Sequence, residues 1–271
     1  MPEIDFHGVR GCYTSWGQGD PTLFLHSGAS SGRQWQKVVE HLASPRLSIA
    51  PDFLGFGDSD PWPESGKLTH DLQAALALRV LDAHAEGAAD VVGHSYGGAA
   101  AVRLAVNHPG RVRSLVLIEP VVHHVLEESG DPLFSESIRV AQAFIASVEL
   151  GEIEAGWEVF VDSSNGPGTW ARLSPERRKR FLDQTVQTKE AFISNLVNRT
   201  SLAEYRAIQA PVTLIHGTRT SNTNLRIAAL LRDAIPAATG IAIDGAGHMS
   251  PLTHPAEVAK LISAHLDRVS E

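Results

Sequence analysis

The sequence predicts an α/β fold built on a mostly parallel sheet, with a helical insertion interrupting its second half. Three observations predict it. In the first half, short apolar runs ending in Gly, Ser or Asp alternate with helical stretches, the signature of βαβ units. Around Ser95, an apolar run, a sharp glycine-flanked turn and a small-residue helix meet directly. Between about residues 121 and 205 helical segments continue, with no β-branched run of strand length to separate them.

Taken in order, residues 22–26 read as a strand, 34–43 as a helix, 47–51 as a strand and 68–86 as a long Ala/Leu-rich helix. Residues 89–93 form a buried strand leading into the Ser95 turn, and 97–107 follow with small residues at helical spacing. Residues 114–118, 211–216 and 239–243 read as further strands, and 255–268 close the chain as an amphipathic helix. Within the insertion, Pro132, Gly166-Pro167-Gly168 and Ser174-Pro175 punctuate the chain into about four helices. The expected division is a core of residues 1–122 and 205–271 and a helical cap of residues 123–204.

With 271 residues, 43% of them apolar, the chain can bury a substantial core without staples. Cys12 is its one cysteine. That excludes an intramolecular disulfide framework and a cysteine-based zinc site, and it fits a reducing, cytoplasmic setting. The N-terminus lacks a basic region followed by an apolar stretch, and no run approaches about 18 uninterrupted apolar residues, so neither secretion nor membrane spanning is expected. A net charge of -8 argues against nucleic-acid binding. The Arg177-Arg178-Lys179-Arg180 cluster is read as a solvated helix face.

The chemistry centres on Gly93-His94-Ser95-Tyr96-Gly97. A serine hydroxyl is a poor nucleophile until its oxygen is exposed and within reach of a base. The Gly-x-Ser-x-Gly turn presents it, with strained backbone at the serine and glycines where strand and helix approach closely. Tyr96 then offers its backbone N–H to a developing oxyanion.

Four stretches, in order, carry a resemblance: Leu25-His26-Ser27-Gly28, the segment from Asp52 to Ser59 (Asp-Phe-Leu-Gly-Phe-Gly-Asp-Ser), the Ser95 turn, and Gly245-Ala246-Gly247-His248. Together they resemble the α/β-hydrolase fold family over nearly the whole chain outside the insertion. The resemblance implies an eight-stranded, mostly parallel sheet flanked by helices. It also implies a second oxyanion donor from the loop after the third strand, by position the backbone N–H of Gly28, with that of Ala29 as the alternative. Ser27 departs from the glycine usual after the histidine, and His26 is expected to brace the loop.

Of 13 histidines, His248 follows the last strand through a glycine-flanked loop and gives the Ser, acid, His order of this fold. Family members usually carry an aspartate after the strand that here ends at His216-Gly217. The matching loop, Thr218-Arg219-Thr220-Ser221-Asn222-Thr223-Asn224, has no carboxylate. Glu119 ends the strand next to the nucleophile strand, where some relatives such as haloalkane dehalogenases place their acid, and neighbouring strand ends in an open α/β sheet face one crevice. Glu119 is therefore the expected acid, ahead of Asp244 and of a surface pairing with Arg111 or Arg113.

The expected reaction is acyl transfer to water on a small carboxylic ester, with Ser95 as nucleophile, His248 as base, Glu119 as its anion, and Tyr96 and Gly28 as oxyanion donors. His248 must be neutral to act, so activity is expected to rise with pH through the ordinary histidine range near about 6.5. C–C bond hydrolysis and cofactor-free perhydrolysis are alternatives on the same residues, and a slow or non-catalytic ligand receptor is the alternative of another class. No metal or nucleotide motif is present, so no cofactor is expected. The partner is a small-molecule substrate bound by a monomer or homodimer. His123, His124, Trp157 and Trp170 are the candidate substrate contacts.

Overall fold

The computed structural model describes residues 1–63, 68–236 and 238–270, residue 270 by its backbone alone. Its strands are β1 (Glu3–Phe6), β2 (Val9–Trp16), β3 (Pro21–Leu25), β4 (Leu47–Pro51), β5 (Ala89–His94), β6 (Val112–Ile118), β7 (Val212–Gly217) and β8 (Ala238–Ile243). Among the described residues they form one eight-stranded sheet in the order β1-β2-β4-β3-β5-β6-β7-β8. From β4 to β8 every pairing is parallel; β1 and β2 add an antiparallel edge. That hairpin turns on His7 and Gly8, both with positive φ, the geometry that a two-residue hairpin turn demands.

The central strands are apolar on both faces because helices cover both. Leu23, Leu25, Val91, Leu115, Leu117 and Leu214 point into one buried cluster. The alternate positions, Phe24, Val92, Val116, Ile118 and Ile215, point into the other. This period of two with no polar face is what a parallel sheet between helical layers requires.

The core helices are α1 (Gln36–Glu40), α2 (His70–Asp82) and α3 (Tyr96–Asn107). A 3-10 turn, Gly32–Trp35, leads into α1, so the helix expected over residues 34–43 is shorter and begins as a tighter coil. The helix expected over 68–86 starts later, because Thr69 caps it by accepting from the Leu72 N–H.

Between β6 and β7 lie α4 (His124–Glu128), α5 (Phe134–Ser137), α6 (Arg139–Glu149), α7 (Ile153–Asn165), α8 (Thr169–Arg172), α9 (Pro175–Asp183), α10 (Thr185–Val197) and α11 (Leu202–Arg206). About four helices were expected and, among the described residues, eight are present: α6, α7, α9 and α10 run nine residues or more, and four single-turn helices lie among the connections. Phe144, Trp157, Val161 and Trp170 give this layer a buried cluster of its own. Then come α12 (Asn222–Ala234), α13 (Ser250–Thr253) and α14 (Pro255–Ser270). Among the described residues, no helix is long and apolar enough to cross a membrane.

Parallel register decides where the chemistry gathers. His94 pairs with Ile118, Ile118 with Ile215, and Gly217 with Ile243. The residues just beyond these strand ends, Ser95, Glu119 and the loop leading to His248, therefore meet at one carboxyl edge of the sheet.

Candidate active site

Ser95 leaves β5 with φ 55° and ψ -117°, outside the regions an L-residue prefers. The turn is held by backbone bonds: the Ser95 N–H donates to the Ile118 carbonyl at 3.0 Å, and the Ser95 carbonyl accepts from the N–H groups of Gly98 at 3.0 Å and Val121 at 3.1 Å. A side chain at Gly97 would collide with the carbonyl oxygens of Leu25 and His26, and one at Gly93 with backbone of Gly97 and Gly98. Both glycines are thus imposed by the close approach of β3, β5 and α3.

Four non-glycine residues among those described have positive φ: His7, Ala29, Ser95 and Glu119. His7 serves the hairpin; the other three surround the site. Each such residue costs about 1–3 kcal/mol and persists only where its surroundings over-determine it.

The Ser95 Oγ lies 3.0 Å from His248 Nε2, and His248 Nδ1 lies 2.8 Å from Glu119 Oε2. Glu119 is 2% exposed yet well satisfied. Its Oε1 accepts from the Gly217 N–H at 2.9 Å, and its Oε2 accepts from the Thr220 hydroxyl at 2.6 Å and Asn224 Nδ2 at 2.9 Å. Burial, the largest single influence on this carboxyl, disfavours ionisation. The His248 hydrogen bond and charge, with the Gly217 and Thr220 donors, outweigh burial and bring the pKa from its ordinary 4.5 down to about 2.

The loop that lacks a carboxylate is thus the loop that wraps one. Thr220 and Asn224, both missed in the sequence, anchor the acid that the neighbouring strand supplies. A side chain at Gly217 would strike the backbone of Ala246 and Gly247, so this glycine lets the histidine loop close over β7. The alternatives to Glu119 are engaged elsewhere: Asp244 is exposed and accepts from Thr218 at 3.2 Å, Arg111 pairs with Asp82 and Arg113 with Asp90.

The backbone N–H groups of Tyr96 and Gly28 have no protein acceptor among the described residues, and a Cβ built on Gly28 would stand 3.8 Å from that of Tyr96. Gly28 and Tyr96 are therefore neighbours. His26 braces the Gly28 loop, its Nε2 accepting from the Phe53 N–H at 3.0 Å and its Nδ1 lying 2.7 Å from the Ser27 carbonyl.

The four candidate substrate contacts divide. His123 is half-buried, and burial, then the charge of His248, lowers its pKa to about 4; its Nδ1 is buried without a partner. His124 is buried, with Nε2 3.0 Å from the Tyr205 hydroxyl. Trp157 and Trp170 stack on each other at 6.4 Å, and the Trp157 indole N–H donates to Thr185 at 2.9 Å. Both tryptophans are packed among Phe144, Phe160 and Phe181, so a ligand would reach them only by displacing these rings. Among the described residues no group of His, Cys, Asp or Glu is arranged to hold a metal ion.

Comparison with known proteins places the chain. Residues 20–255 match the family model described as alpha/beta hydrolase fold, and the chain belongs to that family. It is 31% identical, over 97% of its length and 93% of the relative's, to a 2-hydroxymuconate semialdehyde hydrolase of Pseudomonas sp. strain CF600. It is also 31% identical to lipase LipV of Mycobacterium tuberculosis, over 97% and 98% of the two chains. A pimeloyl-[acyl-carrier protein] methyl ester esterase of Chromobacterium violaceum is 26% identical over 93% and 96%. Among solved structures, Est816, described as an N-acyl homoserine lactone degrading enzyme, superposes with a TM-score of 0.75 at 23% identity, covering 97% and 99%. MGS-M2, an alpha/beta hydrolase enzyme from a Medee basin deep-sea metagenome library, superposes at 0.78 with 18% identity, covering 98% and 97%. These two share the fold.

Proposed function

We propose that the protein is a serine hydrolase that cleaves a small carboxylic ester through an acyl-enzyme on Ser95. The observation that carries this reading is the continuous hydrogen-bonded order of Ser95 Oγ, His248 Nε2, His248 Nδ1 and Glu119 Oε2, at 3.0 Å and 2.8 Å. In it, the Ser95 hydroxyl donates its proton to His248 Nε2 as Oγ attacks the substrate carbonyl carbon. The carbonyl oxygen becomes an oxyanion held by the N–H groups of Tyr96 and Gly28. His248 Nδ1–H donates to Glu119, whose retained negative charge stabilises the imidazolium.

His248 then gives the proton to the departing alkoxide, which leaves as the alcohol. Water attacks the acyl-enzyme, His248 takes its proton, and the acid departs as Ser95 regains its hydrogen. Residues 123–204 act as a cap over this edge, and the substrate approaches between cap and sheet. The lipase and esterase relatives support the ester class.

A second reading, hydrolysis of a C–C bond beside a ketone on the same residues, is favoured by the relative named for a semialdehyde rather than an ester. Stopped-flow hydrolysis of aryl esters of graded acyl length tests the first reading. A burst of phenol equal to the enzyme concentration, followed by slower turnover, supports an acyl-enzyme. Absence of ester turnover together with cleavage of a vinylogous diketone would replace the first reading with the second.

A further inference from the structure

Three loops meet at the proposed reacting atoms, and one hydrogen-bonded chain that bypasses Glu119 ties them together. The Ser27 N–H and hydroxyl both donate to Gln34 Oε1, at 3.1 Å and 2.7 Å. Gln34 Nε2 lies 3.1 Å from His94 Nδ1, and His94 Nε2 lies 2.8 Å from the His248 carbonyl oxygen. Ser27, Gln34 and His94 are all buried, and His94 is wholly inaccessible.

The direction of this chain is forced from one end. A backbone N–H can only donate, so the Ser27 N–H requires the amide oxygen of Gln34 to face it. The Gln34 amide nitrogen then faces His94, whose Nδ1 must accept. That leaves the proton on His94 Nε2, where it donates to the His248 carbonyl. A second proton on His94 would set N–H against N–H at Gln34. Burial, followed by the charge of His248, likewise keeps the ring neutral, with its pKa lowered to about 3.

We propose that Ser27, Gln34 and His94 form a positioning relay that holds the His248 loop and the Gly28 donor loop at a fixed separation about the Ser95 turn. The inference rests on the proposed reaction at Ser95 and deepens it. Ser27 precedes Gly28, His94 precedes Ser95, and the relay ends on the backbone of His248 itself. The relay fixes the main chain of the proposed base, while Glu119 fixes its ring. It also gives Ser27 a task that the usual glycine could meet only in part, since a glycine would keep the N–H bond and lose the hydroxyl bond.

The first test needs no variant. Nitrogen-detected NMR of histidine-labelled protein should show His94 as the neutral tautomer protonated at Nε2 between about pH 5 and about pH 9, unlike a free histidine. A proton on Nδ1, or titration within that range, would overturn the proposal. The second test compares Gln34→Met, His94→Phe and the double variant, each checked for a folded transition, on a chromogenic ester. Loss of alignment should lower kcat about 10- to 100-fold with KM within about twofold. The double variant should fall no further than the worse single one, because the residues act as a unit. Ser27→Ala, which retains the N–H donor, should lose about two- to fourfold. Losses that multiply, or a Gln34→Met variant within about threefold of the parent, would overturn it. Should the parent itself fail to react at Ser95, the proposed reaction fails first; a reactive parent with unaffected variants sinks the relay alone.

Discussion

Glu119, at the end of β6, reaches past the end of β7 to place its Oε2 2.8 Å from Nδ1 of His248, a residue 129 positions later in the chain. Because β6 lies beside β5, which leads into Ser95, a carboxylate from β6 approaches the imidazole from one strand nearer to Ser95 than an acid on the Thr218–Asn224 loop would.

Replacing Glu119 by Gln should lower kcat by about 10²- to 10⁴-fold while the protein stays folded, since the imidazolium loses its orienting anion. Asn224 Nδ2 stands 3.3 Å from His248 Nδ1, so Asn224→Asp in the Glu119→Gln background should recover about tenfold or more by moving the acid to the neighbouring loop. Steady-state kinetics of both variants checks this; a Glu119→Gln loss under tenfold would remove Glu119 from the proposed triad.

Thr220→Val deletes a 2.6 Å hydrogen bond to the Glu119 carboxylate. A hydrogen bond to a charged group is worth about 1.5–3 kcal/mol, so the variant should lose about that much stability at neutral pH. Denaturant unfolding measures it. Losing one stabilising donor should also raise the pKa of Glu119.

Acid should destabilise the fold above the carboxylate range. His70, His123 and His265 are lowered to about 4, and His94 and His124 to about 3, burial being the first cause for each. Their ordinary value is 6.5, so as pH falls below it the unfolded chain takes up protons that the folded chain refuses. Stability therefore declines as pH falls through this window, by up to about 1.4 kcal/mol per pH unit for each group. Glu119, with its pKa at about 2, remains ionised throughout it. Tm should fall steadily from pH 6.5 to pH 4.5; a flat profile would show that these histidines take up protons in the folded protein as readily as in the unfolded chain.

Gly97→Ala should cost about 1–3 kcal/mol or more, because the added methyl meets the Leu25 and His26 carbonyl oxygens in a strand end that cannot retreat. Urea unfolding tests it, with Gly110→Ala, where nothing lies within 4 Å, as the comparison site.

The sheet was legible because its central strands are short apolar runs followed by helix-forming stretches, and residues 89–93 and 114–118 read as strands at nearly their observed bounds. Strands β1 and β2 were not read individually, since Glu3, Asp5 and Arg10 make the edge hairpin look like a polar terminus. Ser95 and His248 stood out through glycine-flanked turns that only a close chain approach explains. Glu119 could be chosen because the loop after β7 lacks a carboxylate. Thr220, Asn224, Gln34 and His94 escaped, because a hydrogen bond between residues 60 to 154 positions apart leaves no periodic trace. The tryptophans of the insertion look alike in sequence whether they face a ligand or each other; only packing separates Trp157 against Trp170 from an open wall.

Every step of the proposed reaction depends on Ser95 being an activated nucleophile, and covalent labelling with a fluorophosphonate measures that directly. Intact-protein mass should rise by one phosphonyl group per chain within minutes, peptide mapping should place it on Ser95, and both Ser95→Ala and His248→Gln should abolish or greatly slow it. A folded protein that stays unmodified, or is modified at another residue, would contradict the proposed chemistry and favour a receptor built on the same fold.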